Sequence, residues 1–231
     1  TVNHAVTLAV GTHPLASFSN NATLTFNGWN APLVADNATI NATVTHLAQS
    51  ATAPDPVSGE WVPGNRVLIT GGSLTVAAGG KINADKAGYR AQCGPAWDGA
   101  SKNIHNNSSC YFGGSYGGLQ SYPPDSSHPC APHSYGSVAA PLDPGSGGGK
   151  TPVGGGAVRI DLTGGLIVNG DITANGHGSG YWNGGASSGG GIYITCHSVS
   201  GTGNVTANGG SQGAIGGGGG GRVAVHYNAE A

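Results

Sequence analysis

The sequence predicts an all-β fold: a right-handed parallel β-helix (β-solenoid) with a long Gly/Pro-rich, disulfide-stapled excursion. A β-sandwich is the alternative. Three observations point there. The chain is rich in glycine and poor in charge, its apolar residues alternate with period two, and it repeats internally.

Glycine is 45 of 231 residues, methionine is absent and charged residues are 8%. Helical proteins clothe their solvent faces in Lys, Glu and Arg, so this composition favours strands and turns. A strict G-X-Y period is missing, which excludes collagen. An apolar content of 37% in ordered alternation argues against a disordered chain. A net charge of −2 gives no electrostatic footprint for nucleic acid or an anionic membrane. No apolar run approaches the roughly 20 residues of a membrane span.

In chain order, residues 1–60 come first. VNHAVTLAVG, ATLTFNG and ATINATVTHLAQ alternate, but in no common phase with the later repeat. They read as irregular strands or a cap continuous with the solenoid, which such folds need. SATAPDPVSGEWVPGN (50–65) is a proline-rich connection. Residues 61–231 are the glycine-rich solenoid. RVLITGGSLTVAAGGKINADKAG (66–88) matches AVRIDLTGGLIVNGDITANGHG (157–178), with Ile82 opposite Ile172. NGDITANG (169–176) matches GNVTANGG (203–210), pairing Ile172 with Val205, Ala174 with Ala207 and Asn175 with Asn208. The two asparagines are expected at equivalent corners in a left-handed conformation.

Three strands follow glycine triplets: GGGAVRIDL, GGGIYITCH and GGGRVAVHY. Val158, Ile160 and Leu162 face one way, as do Ile192, Ile194 and Cys196, and Val223, Val225 and Tyr227; a helical period of 3.6 cannot do this. The triplets Gly154, Gly155, Gly156; Gly189, Gly190, Gly191; and Gly219, Gly220, Gly221 are expected in one phase, as close-packed corners without a Cβ. On this reading the run Gly216–Gly221 is a structural part rather than a tether. Extended polyglycine strands packed against the strands are its other form.

Residues 89–153 read as the excursion, holding GGSYGG, SYPPDSSHPCAPHSYGS and PGSGGG. A segment this long without structure calls for a staple. Four cysteines, Cys93, Cys110, Cys130 and Cys196, with no C-x-x-C, predict two disulfides and an oxidising compartment; three connectivities are open. Sequons at Asn21, Asn37, Asn41, Asn106, Asn107 and Asn204 predict N-glycosylation.

The order GGSYGG, YGS, PGSGGG, GGGAVRI, NGDITANG, GGGIYI, GNVTANGG, GGGGGGRVAV over residues 66–228 resembles the extracellular glycine-rich repeat proteins of plants, algae, oomycetes and ciliates, and similar bacterial surface proteins. The resemblance implies a secreted or surface-exposed region of a longer chain. It brings no catalytic residues.

Signals for chemistry are sparse. Asp161 and Asp171, with Arg159 and Lys81, are the outward charges a polysaccharide enzyme would need, but an alternating Arg–Asp pair reads as a surface ion pair. Of nine histidines, His128 and His133 lie nearest each other, beside Cys130, on what reads as a solvated loop; His177, His197 and His226 decorate repeat positions. No cofactor, metal site or catalytic residue is expected. Tyr181 and Trp182, with Trp29, Trp61 and Trp97, are candidates for stacking on sugar rings.

The leading functional expectation is a structural extracellular subunit of a surface filament, flagellar hair or coat. Its partners are copies of itself joined head-to-tail, or other matrix or coat proteins. A solenoid leaves two strand edges open, and neither end of this chain shows an amphipathic capping helix. A carbohydrate-binding or adhesion module is the alternative.

Overall fold

The computed structural model describes residues 1–96, 113–120, 133–180, 184–211 and 216–228. Its strands in chain order are β1 (Val6–Leu8), β2 (Leu15–Asn20), β3 (Leu24–Phe26), β4 (Leu33–Ile40), β5 (Thr43–His46), β6 (Val67–Val76) and β7 (Lys81–Asn83). Then come β8 (Ala157–Leu162), β9 (Gly165–Val168), β10 (Asp171–Thr173), β11 (Gly191–Cys196), β12 (Ser198–Ser200), β13 (Asn204–Thr206) and β14 (Arg222–Tyr227).

Every pairing between these strands is parallel. They form a six-stranded sheet in the order β1-β3-β5-β7-β10-β13, and an eight-stranded sheet. In the larger sheet β2 pairs β4 and β4 pairs β6. The ten-residue β6 then offers its other edge to β8 and β9 in succession, which carry β11, β14 and β12.

Alternation explains the packing. In the small sheet Val6, Leu24, Val44, Ile82, Ile172 and Val205 stack in one inward column. In the large sheet Leu33, Ile69, Ile160, Ile194 and Val225 do the same. Both columns feed one apolar core in which Ile40, Leu74, Ile82, Ile160, Ile172 and Ile192 are wholly buried. Burying each such side chain contributes about 1.5–3 kcal/mol.

The repeat alignment holds at Ile82–Ile172–Val205, and the inward set Val158–Ile192–Val223 is in register. The middle glycine triplet is displaced by one residue from the other two, which stay in phase: Gly191 lies beside Ala157 and Arg222, not beside Gly156 and Gly221. The residues of 1–60 also join both sheets in phase, through β1 to β5.

The expected closed β-solenoid with a stapled excursion is overturned, although the all-β class is kept. The hydrogen bonds define two parallel sheets, and the side that would close a solenoid is not strand at all. The β-sandwich is overturned as well, because sandwich sheets are antiparallel. Parallel sheets are usually covered by crossover helices. No helix occurs among the described residues; the inner faces of both sheets share one apolar core, and glycine-rich backbone forms a hydrogen-bonded region beside them.

That backbone forms a layer of its own. The segment 185–190 exchanges backbone hydrogen bonds with Gly114, Ser146, Gly155, His177, Gly210, Gly216 and Gly219. A flat strand bonds only to two sides. An extended three-fold helix, with three residues per turn, points its N–H and C=O groups in several directions. Side chains here are minimal: Ala186, Ser187 and Ser188 are fully buried. The layer recruits 113–118 and 144–148 from the predicted excursion, so those residues are woven into the structure, and Tyr89 and Tyr116 are buried beneath them.

Glycine is needed for the close approach. A Cβ on Gly190 would fall on the carbonyl oxygen of Gly156, and one on Gly219 on that of Gly118. Gly220 departs from the expectation: a Cβ there meets nothing. The run Gly216–Gly221 is thus part of the packing, through backbone hydrogen bonds to Gly114, Ala186, Gly189 and Gly210.

The predicted pairing of four cysteines is corrected for Cys196, while a Cys110–Cys130 pair falls outside the described residues. No disulfide is present among the described residues. Cys196 is a free thiol, pointing inward from β11 as a small apolar side chain, and burial raises its pKa. Cys93 is buried against Thr52, with its backbone bonded to Gly147 in the glycine layer. Cys110 and Cys130 lie outside the described residues.

Candidate functional site

The features that set this molecule apart are the two ends of its sheets. At one end lie β1 and β2, with burial rising only from Phe18 onward. Here Val2, Val6, Leu8, Leu15, Phe18 and Leu24 line an open apolar cavity of ≈ 300 Å³. Val6 is 44% and Leu15 37% exposed, although both stand in core columns. At the other end β12, β13 and β14 are the outermost strands. Val199, Val223 and Tyr227 are exposed there, again at core positions. A cleft of ≈ 710 Å³ opens beside them between Cys196, His197, His226 and Tyr227. The strand sequences VTL, LASFSN, SVS, NVT and RVAVHY contain one charge, Arg222. Exposed edges normally carry Lys, Pro or bulges that deter pairing.

Of the outward charges, Arg159 and Asp161 pair with each other, while Asp171 is held by Asn204. Arg159 Nε donates to Asp161 Oδ2 at 2.6 Å, and Thr195 Oγ1 donates to Asp161 Oδ1 at 3.1 Å. Asn204 Nδ2 donates to Asp171 Oδ1 at 3.1 Å. Among the described residues no group of three or more His, Cys, Asp or Glu side chains is placed to hold a metal. His226 Nε2 lies 2.8 Å from the Ala139 carbonyl and its ring meets Tyr193 edge-on. His128 lies outside the described residues.

The aromatic candidates are occupied where they can be seen. The Arg66 guanidinium covers the Trp29 ring at 4.5 Å and donates from Nε to the Trp29 carbonyl. Burial pushes the pKa of Arg66 down to about 10. Trp61 packs edge-on to Tyr89 at 5.2 Å. Tyr181, Trp182 and Trp97 lie outside the described residues.

Asn21, Asn37, Asn41 and Asn204 are all exposed; Asn106 and Asn107 lie outside the described residues. Asn21 Nδ2 donates to Asn3 Oδ1, and Asn41 Nδ2 to Asn21 Oδ1, making a ladder across neighbouring layers. Asn175 and Asn208 sit at equivalent corners as expected, but neither has positive φ. Each works through its neighbour instead: Asn175 N–H donates to Asp85 Oδ1, and Asn208 N–H donates to Asn175 Oδ1.

One important residue is easily passed over in the sequence. His46 replaces an aliphatic residue in the inward column Leu8–Phe26–His46 and is 4% exposed. Its Nε2 accepts from Ala157 N–H at 3.1 Å, so Nδ1 carries the proton and donates to the Leu47 carbonyl at 2.7 Å. Desolvation pushes its pKa down to about 4, against a smaller upward pull from the Leu47 carbonyl. The only sequence signal was its inward place in the alternation TVTH.

Comparison with protein-family models, with curated proteins and with solved structures finds no match to this chain.

Proposed function

We propose that this chain is a structural, extracellular segment that builds a filament or coat by joining copies end to end. The observation that carries the reading is the state of the two sheet ends. Both expose core-column residues, and their strands have almost no charge to deter pairing. In a parallel sheet the two edges differ, and each is the complement of the other, so end-to-end contact is heterologous and does not close. The resemblance to extracellular glycine-rich repeat proteins agrees with this. Exposed sequon asparagines fit passage through a glycosylating secretory route, which carries the extracellular reading in place of the disulfides.

The test is secretion from a eukaryotic host, followed by negative-stain electron microscopy and glycosidase treatment. The expected result is filaments whose subunits lose mass when N-glycans are removed. Particles that stay monomeric at millimolar concentration would refute the assembly.

A further inference from the structure

Among the described residues, two buried side-chain atoms have no hydrogen-bond partner: Tyr116 Oη and Arg222 Nε. Nearly every buried donor in a folded protein is satisfied, either by protein or by ordered water. Tyr116 is wholly buried. The two atoms belong to one cluster around the Tyr135–Gly136 peptide. Arg222 Nη2 donates to the Tyr135 carbonyl at 3.1 Å, and Arg222 Cζ lies 5.6 Å from the centre of the Tyr116 ring. The Tyr135 and Tyr116 rings meet at 4.8 Å. Gly136 has a φ of +71°, and a Cβ there would fall 2.5 Å from Asp143 Oδ2 and 2.9 Å from Tyr116 Cε2. The Asp143 carboxyl, the edge of the Tyr116 ring and the Arg222 guanidinium therefore surround the same peptide.

We infer that this junction binds one ordered water molecule, held by Tyr116, Arg222 and Asp143. The chemistry selects water over an ion. The Tyr116 O–H and the Arg222 Nε–H both donate, so the ligand must accept twice, and the Asp143 carboxylate accepts what the ligand itself can donate. Asp143 feels the charge of Arg222, yet no ion pair joins the two side chains. A gap of this kind between polar groups is where a bridging water sits. Water accepts from the two donors and donates to the carboxylate, the three bonds typical of a buried water. Chloride would meet the negative charge of Asp143, and a cation would meet two donors, one of them on a guanidinium. The Asp143 N–H faces Tyr116 Oη without reaching hydrogen-bond geometry. The water joins three passes of the chain: Tyr116 comes from 113–118, Asp143 from 133–148, and Arg222 opens β14. Direct bonds already link them in part, since the N–H groups of Gly117 and Gly118 donate to the Gly220 carbonyl and His226 Nε2 lies 2.8 Å from the Ala139 carbonyl. The water completes the attachment of these segments to the large sheet.

The experiment joins urea unfolding of Tyr116→Phe to a high-resolution crystal structure of the wild-type chain. Removing a buried hydroxyl that has no partner is neutral or stabilising, whereas removing one bonded to a held water forfeits a hydrogen bond. Tyr116→Phe, which keeps the ring, is expected to raise the unfolding equilibrium constant several-fold. The crystal structure is expected to show one density peak within hydrogen-bond distance of Tyr116 Oη, Arg222 Nε and the Asp143 carboxyl. Crystals grown in bromide should give no anomalous signal at that peak. A variant as stable as the wild type, or more stable, overturns the inference. So does a structure without the peak, in which Tyr116 bonds Asp143 directly, and so does a bromide signal, which would make the junction an anion site.

Discussion

Acidification should test how the buried His46 is held. In the native state its pKa is about 4 against 6.5 when unfolded, because the charged ring would lose water and set a second N–H against that of Ala157. A group whose native pKa is lowered in this way binds its proton more readily in the unfolded chain. Its contribution to stability is complete above pH 6.5 and is lost as pH falls toward 4. Linkage puts the loss at roughly 2.5 kcal/mol between pH 7.5 and 4.5. The assay is urea unfolding of the wild type and of His46→Gln at both pH values. The variant is expected to be less stable at pH 7.5, yet to lose about 2.5 kcal/mol less on acidification. Equal losses in the two proteins would show that His46 is not held neutral in the fold. Asp143, whose pKa burial raises, acts in the opposite direction but is common to both proteins.

Gly190→Ala should destabilise by about 1–3 kcal/mol or more, since its Cβ would meet the Gly155–Gly156 backbone; Gly220→Ala should be silent, and urea midpoints compare the two. Ile172→Ala opens a cavity in the centre of the small-sheet column and should cost about 2–5 kcal/mol in the same assay. The Cys196 thiol should react with a maleimide several-fold more slowly in the folded protein than in urea, with or without prior reductant, as mass spectrometry would show.

The later strands were legible because their repeats keep similar length: Ile172 and Val205 are 33 residues apart. The earlier ones were hidden by uneven connections. Steps along that same column are 18 residues from Val6 to Leu24, 20 to Val44, 38 to Ile82 and 90 to Ile172. Structure of this kind conserves the register of stacked side chains, not the length of chain between them. A search at one fixed period therefore misses Leu24 and Val44 while finding Val205. The glycine layer was hidden for another reason. Its bonding is lateral and joins residues far apart in sequence, as Gly114 to Ala186, so local alternation carries no trace of it. Of the candidate site, the end strands were visible, but which of them lie outermost depends on which strand pairs which and emerges only in three dimensions.

The glycine layer also bears on how such a molecule would carry load. The sheet hydrogen bonds lie along the stacking direction, so tension on that axis can peel one strand at a time. The bonds of segment 185–190 instead fasten Gly114, Ser146, Gly155, His177, Gly210 and Gly219 around it, tying several sequence-distant passes of the chain into one knot of backbone. A pull on any one pass is shared by the others before a bond gives way. The coupling between these passes is vested in residues that have almost no side chain.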